Sequence, residues 1–135
     1  MKSFYLLGLI LCFSSGLMAQ NTENPCQIAY SVEVVKKEAT TQKDQYSANL
    51  NWDFSAYPAE SDIKFEIVPI RDCWREVEGK QFGTAEVFKA QADKGSREFT
   101  LLGMKAKCFK WRAIITTADC NQTTDWKYYS FLPKN

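Results

Sequence analysis

Apolar side chains fall at every second position in several short runs. In Ile28-Ala29-Tyr30-Ser31-Val32-Glu33-Val34 the larger apolar residues alternate with smaller or charged ones, the period of a strand with one buried face. Tyr46 to Phe54 repeats the pattern, with Tyr46, Ala48, Leu50 and Trp52 on one face and asparagines on the other. Ser55 to Asp62 contains Pro58 and reads as a loop, after which Ile63-Lys64-Phe65-Glu66-Ile67 begins a third run. Pro69 lacks a backbone donor and implies a bulge or an edge near the end of that run. Between Arg71 and Gly95 the period fades. Thr84 to Ala92 reads either as helical turns capped by Thr84, with Gly95 beyond their end, or as a short edge strand from Glu86 to Ala90; the strand is preferred. Phe99-Thr100-Leu101 resumes the alternation and Gly103 marks a corner. Cys108 to Ile115 forms a long strand, Thr117 to Thr124 a polar loop, and Trp126 to Phe131 a last strand.

About seven strands with no sustained helix predict an all-β, seven-strand sandwich. Two sheets must then pack face to face over Tyr30, Val32, Leu50, Trp52, Phe65, Ile67, Phe99, Leu101, Phe109, Trp111 and Ala113. Each large member stabilises the fold by roughly 1.5 to 3 kcal/mol when buried. Most of the aromatic content is thereby assigned to the core.

The start of the chain departs from this pattern. Met1-Lys2-Ser3 is basic, Phe4 to Phe13 is apolar apart from Gly8, and Ser14 to Ala19 supplies small residues for cleavage. These are the marks of a secretory signal peptide over residues 1–19, leaving residues 20–135 as one domain. A membrane anchor needs roughly 20 apolar residues, whereas this run stops at Ser14. A lipoprotein needs a small residue before its cysteine, whereas Leu11 precedes Cys12. No membrane span is expected after cleavage, and the product is expected to be secreted or periplasmic. The Ala19-Gln20 junction is similar to leaders common in Bacteroidetes-type secreted proteins.

Composition removes several chemistries. Seventeen basic residues against 16 acidic ones lack the basic excess that binding to a phosphate backbone requires, so no nucleic-acid partner is expected. Histidine is absent, which excludes Ser/His/Asp and Cys/His catalysis and imidazole-ligated zinc. Cys26, Cys73, Cys108 and Cys120 lack the close paired spacing of a zinc ribbon, and an exported chain favours disulfides among them. No glycine-rich phosphate loop and no metal cluster is present, so no cofactor is expected.

Three stretches resemble a fibronectin type III domain, a seven-strand immunoglobulin-like sandwich. Trp52 ends the second strand and Phe65 and Ile67 face inward on the third. Phe99 to Met104, leading into Phe109-Lys110-Trp111-Arg112-Ala113, is similar to that family's leucine corner and sixth strand, although Phe109 stands where the family prefers tyrosine. Thr124-Asp125-Trp126 is similar to the opening of its last strand. The resemblance spans Ile28 to Phe131. It implies that the third strand lies antiparallel to the sixth, which pairs Cys73 with Cys108 and leaves Cys26 to pair with Cys120 at the opposite pole. It also implies a non-catalytic interaction module for adhesion or binding, whose partner is a protein or a glycan.

Candidate contact residues follow from the same strand order. Lys110 and Arg112 point away from the core, and Lys127 and Lys64 are expected beside them around Tyr129. This set reads as a face for an acidic or sugar ligand, or as an ordinary solvated sheet face interrupted by Glu66, which is the simpler account. Trp74 follows Cys73 outside the clear alternation. It either packs over the neighbouring disulfide, the preferred reading, or stands exposed to stack on a sugar or anchor a protein. The alternative function is accordingly a small carbohydrate-binding or inhibitor protein that uses Trp74 or the loops Ala56 to Asp62 and Thr117 to Thr124. Glu76 and Glu78 lie in a charged turn rather than facing one another, as a glycosidase pair would. Asn121-Gln122-Thr123 matches a glycosylation sequon, which matters only in a eukaryotic source.

Overall fold

The structure, a computed structural model, describes residues 24–37 and 46–132. The expected leader lies outside them, as does most of the polar turn read between Lys36 and Asp44. Among the described residues eight strands form: β1 (Ser31–Lys36), β2 (Ser47–Asp53), β3 (Asp62–Ile70), β4 (Glu86–Lys89), β5 (Lys94–Thr100), β6 (Cys108–Thr116), β7 (Asn121–Thr123) and β8 (Lys127–Ser130). A 3-10 segment, Cys73–Glu78, follows β3, and a single-turn helix α1 (Leu101–Met104) joins β5 to β6. Two antiparallel sheets result, β1-β2-β5 and β4-β3-β6 with β7 and β8 both paired to β6.

Between the sheets lies an aromatic core of Trp52, Phe54, Phe65, Phe99, Phe109, Trp111 and Phe131, with Leu50, Ile63, Ile67 and Ile115. Ring centroids of Trp52 and Phe65 are 5.3 Å apart, and those of Phe99 and Phe109 5.7 Å, distances at which tilted pairs add to simple area burial. Both disulfides join strand or loop ends at opposite poles: Cys26 with Cys120 and Cys73 with Cys108. These are the pairs that the resemblance implies. They span 94 and 35 residues, and such cross-links stabilise by about 2–4 kcal/mol each, mainly by restricting the unfolded chain.

Several expectations need correction. The eighth strand, β7, arises inside the stretch read as the polar loop Thr117 to Thr124, where no apolar alternation announces it. β1 starts at Ser31 rather than Ile28. Tyr30 therefore lies ahead of the paired segment, and it is 38% exposed while stacking on Phe54 at 5.1 Å. Val32 and Leu101 pack against the core only in part. Pro69 stands near the end of β3, as expected: it pairs with Phe109 on the β6 side, and β4 has already stopped at Ile67 on the other. There the Pro69 carbonyl accepts from Phe82 N–H at 2.8 Å, and the missing proline N–H leaves that pairing one-sided. Thr84 caps no helix; Glu86–Lys89 is a strand, and the preferred strand reading holds.

Gly95 sits inside β5, directly opposite Trp52. The Trp52 ring lies across it, and the indole N–H donates to the Ala92 carbonyl at 2.9 Å. A Cβ built at Gly95 would stand 2.7 Å from Trp52 Cζ2. Gly95→Ala must push the indole off this bond, so the variant is expected to lose about 1–3 kcal/mol of stability. Urea unfolding followed by tryptophan fluorescence checks this; a wild-type midpoint would contradict the packing described.

Candidate functional site

The outer face of the β4-β3-β6 sheet carries a second, smaller core. Val68, Ile70 and Cys108 are buried there, covered by Cys73, Ala85, Trp126 and Tyr128. Strand alternation normally gives one face to the interior and the other to water. Here the chain following β3 folds back over the outer face and dries one end of it.

That returning chain is the 3-10 segment Cys73–Glu78, and it is held at several points. The Cys73–Cys108 bridge fixes its start to β6. The Tyr128 hydroxyl donates to the Cys73 carbonyl at 2.6 Å, and the Lys110 ammonium to the Val77 carbonyl at 2.9 Å. Arg71 N–H donates to the Lys80 carbonyl at 2.9 Å and Phe82 N–H to the Pro69 carbonyl at 2.8 Å, closing the base of the loop. At Gly79 a Cβ would stand 2.9 Å from the Asp72 carbonyl oxygen, so the loop closes only around a residue without a side chain. In its middle Glu76 adopts φ 50° and ψ −121°, a left-handed conformation that costs a non-glycine residue about 1–3 kcal/mol and persists only where surrounding contacts enforce it.

Trp74 projects from this anchored loop and is 78% exposed. The expectation that it packs over the neighbouring disulfide is thereby overturned. Tyr128 and Trp126 cover the dry patch from the β8 side, and Trp74 is left without a surface to bury against. Glu76 and Glu78 are also exposed on the segment, and neither lines the cavities described below.

Lys110 and Arg112 face outward as expected, and both are engaged. Arg112 pairs with Glu66 at 2.6 Å and lies 4.3 Å from the centroid of the Trp126 ring, with the Lys110 ammonium 4.9 Å from the same ring. Lys64 is farther along β3, paired with Asp62 at 2.9 Å. The other two expected members of the face are misplaced by one residue. Thr123 pairs with Ile114, but Lys127 pairs with Trp111. Thr124, Asp125 and Trp126 therefore stand opposite only Arg112 and Ala113, a bulge of one extra residue, which reverses the side on which every later side chain emerges. Thr124 fills the gap, its hydroxyl accepting from Ala113 N–H at 3.0 Å. Past the bulge Tyr129 turns inward, 5.5 Å from Phe109 and 5.4 Å from Phe131, and Lys127 shares the side of Trp111. Trp126 and Tyr128 take the outer positions instead. Their signal in the sequence is the turn-forming Thr124-Asp125 pair just before Trp126, which interrupts the alternation.

At the opposite pole, Asn24, Pro25, Ile28, Pro58, Thr117 and Asp119 line a cavity of about 480 Å³ beside the Cys26–Cys120 bridge. Thr117 shapes one wall: its hydroxyl accepts from Cys120 N–H at 3.0 Å. Asn121 of the sequon is exposed on β7. Among the described residues no group of His, Cys, Asp and Glu is arranged to hold a metal ion, and no helix is long and apolar enough to cross a membrane.

Burial raises the pKa of both Tyr128 and Tyr129 above the ordinary tyrosine value. Their hydroxyls differ in use. That of Tyr128 anchors the loop, whereas that of Tyr129 is buried without a hydrogen-bond partner among the described residues. Removing a paired hydroxyl loses the bond, and removing an unpaired one relieves a desolvation penalty. Tyr128→Phe is therefore expected to cost about 1 kcal/mol, and Tyr129→Phe to leave the melting temperature unchanged or raise it. Thermal unfolding of the two variants side by side tests the assignment, and a Tyr129→Phe loss equal to that of Tyr128→Phe would refute it. No family model, curated protein or solved structure matches this chain.

Proposed function

We propose that the chain is a secreted or periplasmic, non-catalytic interaction module for adhesion or binding, built on a fibronectin type III-like sandwich, with Trp74 as its principal contact. The observation that carries this reading is the exposure of Trp74, 78%, on a loop held by a disulfide and side-chain hydrogen bonds. Exposed tryptophans on rigid supports supply a large contact area at little cost in lost side-chain freedom, and tryptophan is enriched among residues that dominate binding energy. Two disulfides fit an oxidising, extracytoplasmic compartment.

The fibronectin type III-like assignment is supported by the strand order. Counting β7 and β8 as one strand interrupted by the bulge gives seven. The first, second and fifth form one sheet and the third, sixth and seventh the other, an order shared with immunoglobulin-like sandwiches. β4 lies beside β3 rather than beside β5, unlike the fourth strand of a constant immunoglobulin domain.

A second reading, a small carbohydrate-binding or inhibitor protein, is favoured by the cavity of about 480 Å³ between Pro58 and Thr117. It falls between the two loops expected to make such contacts, and its size suits a small ligand.

Glycan-array and protein-array binding of the wild type and of Trp74→Ala separates these readings. Because Trp74 is scarcely buried, the variant is expected to melt within about 2 °C of wild type while losing at least roughly 30-fold in affinity for a protein partner, as a dominant contact does. Glycan binding abolished by Trp74→Ala, or binding that survives Trp74→Ala but is lost on filling the Pro58–Thr117 cavity, would favour the second reading.

A further inference from the structure

We propose that β5 is a self-docking edge, through which two copies of this chain pair antiparallel about Ser96 and join their β1-β2-β5 sheets. The inference is independent of any role for Trp74, which lies on the other sheet.

β5 is an outer strand. Among the described residues it pairs only with β2. Leu101 N–H donates to the Tyr46 carbonyl at 2.8 Å, and Phe54 N–H to the Asp93 carbonyl at 2.7 Å. These bonds commit the odd-numbered positions from 93 to 101 to β2. Lys94, Ser96, Glu98 and Thr100 consequently aim their backbone N–H and C=O groups away from the sheet, which is the template for strand addition.

What fits that template is decided by the side chains. In an antiparallel self-pairing centred on Ser96, Lys94 of each copy stands opposite Glu98 of the other, so the outer face gains two opposite-charge pairs. Ser96 meets Ser96 on the two-fold axis, where a small side chain is needed. On the inner side Gly95 stands opposite Arg97 of the second copy. Neither position need clash: Arg97 pairs with Glu86 and lies 4.1 Å from the Phe88 ring centroid of its own chain, Gly95 is covered by its own Trp52, and a cavity of about 360 Å³ remains along this edge. Neighbouring registers are worse. Centring on Arg97 opposes two guanidinium groups, and centring on Glu98 opposes two carboxylates. Lys94 and Glu98 have partners of their own, Asp53 at 2.9 Å and Lys37 at 2.6 Å. Those are exposed surface pairs of little individual worth, so they compete weakly with the new contacts. Such an interface is isologous, and it closes at two copies because each sheet spends its one β5 edge.

Sedimentation equilibrium of the full mature chain tests this. For wild type the weight-average mass is expected to rise towards the dimer value between about 10 µM and about 1 mM, the range of a small contact surface. Lys94→Glu alone and Glu98→Lys alone place like charges opposite each other and are expected to stay monomeric. An equimolar mixture of the two variants is expected to form a heterodimer, because both cross-strand pairs are again opposite in charge. Amide hydrogen exchange on wild type supplies a second measurement that needs no variant: Ser96 and Glu98 amides should become protected as concentration rises. A wild type that remains monomeric at about 1 mM, single variants that dimerise like wild type, or a mixture that stays monomeric would each overturn the proposal.

Discussion

Everything in this sandwich leans on the pairing of β3 with β6. The two strands run opposite one another from Asp62↔Thr116 to Ile70↔Cys108, the longest uninterrupted ladder among the described residues. Their inward residues, Phe65, Ile67, Trp111 and Ala113, form the centre of the main core, and their outward residues near one end, Val68, Ile70 and Cys108, form the floor of the second. A strand pair used on both faces cannot slide by one residue without turning both cores to water. The Cys73–Cys108 bridge then locks the end of that ladder, and the loop that presents Trp74 is mounted on the bridge.

Alternation makes the interior of such a fold easy to read. Leu50, Trp52, Phe65, Ile67, Phe99, Phe109, Trp111 and Ala113 are all buried where the period-two pattern places them. The pattern fails where the backbone adds or drops a residue. Thr124 to Trp126 contributes one residue too many, and from that point parity counted along the sequence gives the wrong face for Lys127 and Tyr129. It also fails where the chain packs without regular structure. Trp74 sits in a 3-10 segment beside the Cys73–Cys108 patch, but Trp126 and Tyr128, more than 50 residues later in the chain, are the aromatic groups that cover it, and no local pattern around Trp74 encodes that. Gly95 shows the same limit. Its role comes from the Trp52 ring across the sheet rather than from the end of a helix.

Charge on the outer sheet face serves two purposes at once. Arg112 neutralises Glu66 and lies against Trp126, and Lys110 lies against the same ring while capping the Val77 carbonyl. Guanidinium and ammonium groups over an indole gain from its quadrupole, and their aliphatic stems cover apolar surface. These cations are therefore part of the frame that holds the Trp74 loop.

The two disulfides are nested: the 73–108 bridge lies wholly within the loop closed by 26–120. Of the four bridged cysteines, Cys26 and Cys73 come first from the amino end, and neither is the other's native partner. Oxidation in order of appearance would join them and lock opposite poles of the sandwich together. Native connectivity therefore depends on β3 meeting β6 before the thiols are committed, or on later exchange among them. By either route cysteine order along the chain does not specify the bonds: strand pairing selects them, and the bonds then preserve the pairing.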